Sequence, residues 1–147
     1  MITMKLAELL DRSGLDVLDH LEREVTVPVV DGMQAQGDLI VIPLSMLPTV
    51  DVWRFVTWRE VPPGGVELVR GEDGNNPHTL VADGGKCRWT NAVTDPTGLA
   101  IAVFENIAPA YLVHPEHGGS GVAPGSWLVR RQQERGLGRK GNVLVAD

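Results

Sequence analysis

Two histidines three positions apart stand at the end of a short apolar run, with a glutamate between them. The segment reads Ala-Tyr-Leu-Val-His114-Pro-Glu116-His117-Gly-Gly, and a curled turn there would bring both imidazoles to one point. His78, which follows the loop 71–77, is a third candidate. Three neutral imidazoles suit Zn²⁺ or another divalent ion and leave a fourth position for water. The metal-site hypothesis therefore takes His78, His114 and His117 as ligands and Glu116 as a base or an orienting carboxylate.

The same residues have two other interpretations. In the first, imidazole-to-carbonyl hydrogen bonds hold the glycine-rich turn while Glu116 faces water. In the second, the histidines do acid-base or substrate-binding work without a metal. Nucleophilic alternatives are weaker, because Ser120 lacks the strand-turn-helix context of a reactive serine and Cys87 is expected to be a buried strand residue without catalytic duty. His20 is interpreted as a surface residue.

The elements that must position these residues are short strands. From Glu24 onward, runs rich in Val, Ile and Trp alternate with turn signals, and 17 Gly and 10 Pro supply much of that punctuation. Asp83-Gly84-Gly85 is the best candidate for a tight hairpin. Ten strands are predicted: Val25 to Val30, Asp38 to Ile42, Val52 to Trp58, Val66 to Arg70, His78 to Val81, Lys86 to Thr90, Leu99 to Phe104, Ala110 to Val113, Ser126 to Arg131 and Asn142 to Val145.

The predicted fold class is mostly β, a small β-barrel or a jelly-roll-like sandwich of about nine to ten short strands. At 147 residues the chain is long enough for one domain. We expect a helical segment over 1–24 and a single β domain over 25–147 with a basic C-terminal stretch. The helical segment places leucines at helical spacing, and these are expected to cover one end of the β domain: Leu6, Leu9, Leu10, Leu15, Leu18 and Leu21.

The formal net charge of -6 argues against a whole-surface grip on nucleic acid or on an anionic membrane. Positive charge is nevertheless concentrated near the C-terminus. A solvated strand end or a contact with another subunit is favoured there over nucleic acid, because Trp127 is the only aromatic residue nearby. The candidate partner-binding residues are Arg130, Arg131, Arg135, Arg139 and Lys140.

The single cysteine, Cys87, cannot form an internal disulfide and fits a reducing cytoplasm. The first ten residues do not resemble a signal peptide, and no stretch approaches the roughly 20 apolar residues of a membrane span. A cytoplasmic protein without a membrane partner is therefore expected.

Three blocks of the chain resemble a family of small uncharacterised prokaryotic proteins, some of them in mobile or phage-like contexts. The blocks are Gln36-Gly37-Asp38 with the strand after it, Val66 to His78, and His114 to Glu134. The resemblance implies a shared fold and brings no established activity. The chain departs from the family pattern where Asn76 replaces a histidine, Pro115 a glutamate, Trp127 a tyrosine and Gln133 an arginine.

Two functional hypotheses follow, and whether the protein is an enzyme stays open between them. The favoured one is a non-enzymatic β-barrel module of a bacterial or phage-like system that acts as a homo-oligomer or docks on a larger assembly. The alternative is a histidine-centred metal-binding protein or metal-dependent hydrolase, with Zn²⁺ as a suitable ion.

Overall fold

The computed structural model describes residues 4–14, 26–70, 77–135 and 142–144. Within these ranges the chain forms one α-helix, one 3-10 helix and fifteen short strands. In chain order they are α1 (Leu6–Ser13), β1 (Val29–Val30), β2 (Gln34–Gln36), β3 (Leu39–Pro43), the 3-10 helix (Leu44–Met46), β4 (Asp51–Val52), β5 (Arg59–Glu60), β6 (Val66–Arg70), β7 (Pro77–Val81), β8 (Cys87–Thr90), β9 (Val93–Thr94), β10 (Ala100–Asn106), β11 (Ala110–His114), β12 (Gly118–Val122), β13 (Gly125–Arg131), β14 (Gln133–Arg135) and β15 (Asn142–Leu144).

Most strands belong to two sheets. The five-stranded sheet has the order β1-β12-β11-β7-β6, and the six-stranded sheet has the order β2-β3-β13-β10-β8-β5. The mostly β prediction is confirmed. The described strands do not close into a barrel, because each sheet ends in two edge strands that pair on one side only. The architecture is therefore sandwich-like, and the barrel alternative is not supported.

The main core lies between the two sheets. The six-stranded sheet contributes Leu39, Phe104 and Trp127, and the five-stranded sheet contributes Leu80 and Leu112. Because side chains alternate along a strand, the next residues point outward and form separate clusters on the outer faces. The burial of Cys87 confirms the prediction of a buried strand residue, and Trp127 is buried in the same core.

Helix α1 covers the outer face of the five-stranded sheet. Leu6, Leu9 and Leu10 are buried there in a cluster with Tyr111 and Val113. The helix ends where Gly14 takes a φ of 67° and donates its N–H to the carbonyl of Leu10. The burial of these three leucines confirms the predicted helical face, but they cover the outer face of a sheet and not one end of the β domain. The predictions for Leu15, Leu18, His20 and Leu21 lie outside the described residues.

The glycine-rich segment after His117 is strand β12 and not a loop, so that prediction is wrong. The strand pairs antiparallel with β11 and parallel with β1. Its glycines make close packing possible: a Cβ at Gly121 would lie 2.5 Å from the carbonyl oxygen of Pro28, and one at Gly119 would lie 3.1 Å from Val27. Glycine therefore serves here to bring backbone and helix against the sheet.

The predicted strand from Val52 to Trp58 is also wrong. The chain forms the two-residue strands β4 and β5, and residues 53–58 between them are not part of a sheet. Segment 44–58 instead crosses the outer face of the six-stranded sheet, where Val50 packs against Val103 and Leu128. This cover buries one side of the segment and leaves the other side exposed.

The predicted hairpin at Asp83-Gly84-Gly85 is wrong in its pairing. The turn exists, since Lys86 donates its N–H to the carbonyl of Asp83. However, β7 before it belongs to the five-stranded sheet and β8 after it to the six-stranded sheet. The turn therefore connects the two layers. The strands β2, β5, β9, β12 and β14 were not predicted.

Across the described parts of the chain, no helix is long and apolar enough to cross a membrane.

Candidate functional site

A two-residue turn joins β2 to β3 at one end of the sandwich. Gln36 pairs with Leu39, so Gly37 and Asp38 form the turn. Gly37 has a φ of 57°, a left-handed conformation that costs other L-residues about 1–2 kcal/mol. This turn directs the side chains of Gln36 and Asp38 into the protein, where both are buried.

His78 lies between these two side chains and is fully buried. Its Nδ1 is 3.0 Å from Gln36 Oε1, and its Nε2 is 2.8 Å from Asp38 Oδ1. The Gln36 amide is oriented by its Nε2, which donates to the Leu112 carbonyl and to Ser120 Oγ, each at 3.0 Å. Both ring nitrogens of His78 are therefore engaged in hydrogen bonds, one with the Gln36 amide oxygen and one with the Asp38 carboxyl group. The result is a buried polar pair between His78 and Asp38.

Strand β13 holds the turn from the other side. The guanidinium of Arg131 lies 3.4 Å from Asp38 Oδ2. Gln132 donates its backbone N–H to the Asp38 carbonyl at 2.9 Å and its side-chain amide to the Gly37 carbonyl at 2.7 Å. We call Gln36, Asp38, His78 and Arg131 the polar clamp, because together they join the two sheets at this end.

His114 and His117 continue from the clamp toward the surface as a stack of rings. The ring centroid of His114 lies 4.3 Å from that of His78 and 4.5 Å from that of His117. His114 is fully buried and His117 is exposed. The Nδ1 of His114 accepts backbone N–H groups of Glu116 at 3.0 Å and of His117 at 3.2 Å. This arrangement holds the turn between β11 and β12.

The structure thus brings the three predicted histidines together, but as stacked rings. A metal ligand must offer the lone pair of an unprotonated nitrogen. Both nitrogens of His78 are engaged by Gln36 and Asp38, and Nδ1 of His114 accepts two backbone N–H groups. Within 4–14, 26–70, 77–135 and 142–144, no group of three or more His, Cys, Asp or Glu could hold a metal ion. The metal site and the role of Glu116 stay predictions.

Two residues of the basic stretch are described with their side chains, and both are half-buried. Arg131 belongs to the clamp. Burial by itself would raise the pKa of Asp95. Hydrogen bonds from Thr97 and the electrostatic attraction of Arg130 outweigh burial, so the pKa of Asp95 is lowered overall. Arg135 lies in β14, and Arg139 and Lys140 fall outside the described residues. Partner binding by this stretch stays a prediction.

The thiol of Cys87 is unsuited to nucleophilic chemistry. Burial raises its pKa from 9.0 to about 12, so the thiolate is absent at neutral pH. Lys86 and Arg88 beside it in sequence do not offset this effect. The expectation of a buried strand cysteine is confirmed.

A second candidate site lies on the outer side of segment 44–58. Phe55 is 93% exposed, Met46 58% and Trp53 59%. We call these three residues the aromatic surface. Trp58 at the end of the segment is half-buried, with the guanidinium of Arg88 4.4 Å from its ring centroid.

Sequence reasoning missed the roles of Gln36 and Asp38, which appeared only as part of a resemblance block. The available signal was a glycine between two polar residues immediately before an apolar strand, which is typical of a tight hairpin turn. Trp53 is exposed and Trp58 is half-buried. The exposure of Phe55 was not predicted.

Comparisons with known proteins agree with an uncharacterised family. Searches of curated proteins and of solved structures found no match. A family model described as Domain of unknown function (DUF8820) matches residues 35–132. The matched range contains every residue of the polar clamp and the aromatic surface. Because this range is about two thirds of the chain, the protein belongs to the family described as Domain of unknown function (DUF8820).

Proposed function

We propose that this protein is a non-enzymatic β module that works by protein association, and that the aromatic surface binds a second copy of the chain. The exposure of Phe55, at 93%, is the observation that carries the proposal. Single exposed apolar residues are ordinary, but two aromatic rings and a methionine on one covering segment are the residue types that interfaces prefer.

The segment that presents these side chains is fixed to the fold. Trp53 donates its backbone N–H to the Ala92 carbonyl at 3.0 Å and its indole N–H to Thr94 Oγ1 at 2.8 Å. Strand β4 pairs with β9 immediately before it. A preorganised aromatic residue loses little conformational entropy on binding, which favours its use as an anchor.

The charges around the aromatic surface support a second copy as the occupant. Asp51 carries negative charge, Arg54 carries positive charge with its guanidinium 5.7 Å from the Phe55 ring centroid, and both are exposed. In a two-fold interface the same patch meets itself, so a patch with both signs can pair its own cations with its own carboxylates. A larger partner in a phage-like assembly would use the same surface.

The polar clamp supports a non-enzymatic interpretation. Gln36, Asp38 and His78 are buried and satisfy one another by hydrogen bonds that cross between the sheets. A general base needs a nitrogen or oxygen within reach of a substrate proton. The clamp residues instead have the burial and the partners of a structural network.

Sedimentation velocity over a range of concentrations tests the proposal. The wild-type chain is expected to form a dimer, and Phe55→Asp to weaken it at least about 10-fold, because loss of a buried phenylalanine costs roughly 1.5–3 kcal/mol. Met33→Asp is the matched control, since Met33 is 55% exposed but lies outside the aromatic surface. Circular dichroism should show both variants folded.

Two results would contradict the proposal. One is a wild-type chain that stays monomeric at about 100 μM, a concentration that populates even weak dimers. The other is equal weakening by Met33→Asp and Phe55→Asp, which would place the interface elsewhere or make it nonspecific.

A further inference from the structure

An open groove lies on the six-stranded sheet, and its lining includes no residue of the polar clamp or the aromatic surface. It has a volume of about 750 Å³, within the range of small-molecule sites. Trp58 and Ile107 line it together with charged and polar side chains from β5, β8, β10 and β13.

The floor of the groove is a row of polar residues fixed by strand register. Glu60 pairs with Arg88, Arg88 with Glu105, and Glu105 with Ser126. These four residues share the outer face and follow one another at the ~4.8 Å spacing of adjacent strands, so the row is about 15 Å long.

The polar groups of the row hold one another in place. Arg88 Nε donates to Glu105 Oε1 at 2.8 Å, and Ser126 Oγ donates to Glu105 Oε2 at 3.0 Å. Glu60 accepts the backbone N–H of Gly85. The Arg88 guanidinium is also held against the Trp58 ring. The row is thus a preorganised surface with carboxylates and a guanidinium in alternation.

Asn106 at the end of the groove has an acceptor that the fold does not use. Its side chain is 97% buried, and its Nδ2 donates to the carbonyls of Ala108, Val122 and Ala123. These three acceptors fix the amide orientation, and Oδ1 has no hydrogen-bond partner in the described structure. A buried acceptor without a donor costs about 1–3 kcal/mol, so a donor from outside the chain is expected to satisfy it.

We propose that this groove binds an uncharged polyhydroxylated ligand, a saccharide. Each hydroxyl group both donates and accepts, so neighbouring hydroxyls can bond the carboxylates and the guanidinium of the row in turn. The charged residues that line the groove are two anions, Glu60 and Glu105, and two cations, Lys86 and Arg88. Their charges cancel, which disfavours a strongly charged ligand.

Known modes of peptide binding fit this floor less well. Strand addition needs an exposed sheet edge, helix binding needs an apolar groove, and phosphopeptide binding needs an arginine cluster. The floor is instead the face of a sheet, with one arginine between two glutamates.

Two-dimensional ¹H–¹⁵N NMR with defined probes tests the proposal. Maltotetraose, cellotetraose, mannotetraose and N-acetylated chitotetraose are each added to about 10 mM, which detects millimolar affinity. We expect at least one to give saturable shifts centred on the backbone amides of Arg88, Ile107 and Ser126 and on the Trp58 indole. Ser126→Ala should weaken that binding about 3- to 10-fold, as expected for one lost hydrogen bond.

Ser45→Ala is the matched control, because Ser45 is exposed on the 3-10 helix outside the groove lining. Glu60→Gln keeps an acceptor and removes a charge, so it should change the affinity for a neutral ligand little. Three outcomes would overturn the proposal: no shift with any of the four saccharides, shifts outside the groove, or groove shifts with spermidine or inorganic phosphate in place of the saccharides.

Discussion

Replacement of His78 by leucine is the sharpest test of the polar clamp. Leucine has a similar size to histidine but cannot form hydrogen bonds, so His78→Leu leaves the Asp38 carboxyl group and Gln36 Oε1 without their imidazole partner. A buried carboxyl group that loses its partner costs about 3–5 kcal/mol. The unmet amide oxygen adds about 1 kcal/mol or more. We expect a total loss of roughly 4–6 kcal/mol of unfolding free energy.

Urea denaturation followed by tryptophan fluorescence measures this loss, because Trp127 is buried in the main core. With an m-value of about 2 kcal/mol/M, the midpoint should fall by roughly 2–3 M. His117→Leu makes the same chemical change at an exposed histidine and should cost less than about 1 kcal/mol.

A double-mutant cycle keeps the test decisive if His78→Leu alone unfolds the chain. Asp38→Asn combined with His78→Leu has no unpaired carboxylate, so the double variant should be at least about 2 kcal/mol more stable than the sum of the single losses predicts. Additive losses within about 0.5 kcal/mol, or a loss from His78→Leu no larger than that from His117→Leu, would refute a stabilising interaction between His78 and Asp38.

Three further predictions follow from the structure. Cys87 should not react with a thiol reagent at pH 8 until the chain unfolds. Above pH 9 the thiol of the unfolded chain ionises, whereas the thiol of the folded chain stays protonated up to a pKa of about 12. The free energy of unfolding should therefore fall by at most about 1.4 kcal/mol per pH unit through this group, a contribution that Cys87→Ala lacks. Gly121→Ala should destabilise by about 1–3 kcal/mol in thermal unfolding through its clash with the Pro28 carbonyl, whereas Gly84→Ala, where a Cβ meets nothing within 4 Å, should be nearly neutral. One equivalent of Zn²⁺ added to untagged protein should leave the melting temperature unchanged, because metal binding through His78 would break a clamp hydrogen bond.

Each of these has a contrary result. Rapid thiol labelling of the folded chain would show that Cys87 is accessible. Equal costs for the two glycine variants would place Pro28 further from β12. A zinc-induced rise of more than about 2 °C would support the metal-site hypothesis over the hydrogen-bonded stack.

Much of the fold follows from local sequence patterns. Leu6, Leu9 and Leu10 recur at helical spacing, and their burial on one face of α1 agrees with it. The alternation of apolar and polar residues, together with turn residues, locates most of the longer strands, because this alternation is visible within a few neighbouring residues. Two patterns gave wrong predictions. Val52 to Trp58 is rich in strand-forming residues but crosses the face of a sheet, and the glycines of β12 predicted a loop where the chain forms a strand.

Three features depend on contacts between distant parts of the chain, and local patterns do not determine them. Asp83-Gly84-Gly85 marks a turn, but only the partners of β7 and β8 decide that it joins two sheets. His78 and Asp38 are 40 positions apart in the sequence, and only the tertiary structure places them in hydrogen-bond contact. The residue types by themselves thus predicted a mostly β fold and a candidate site of three histidines. Tertiary structure decided that two of these are buried and held by hydrogen bonds, because strand register places their partners beside them.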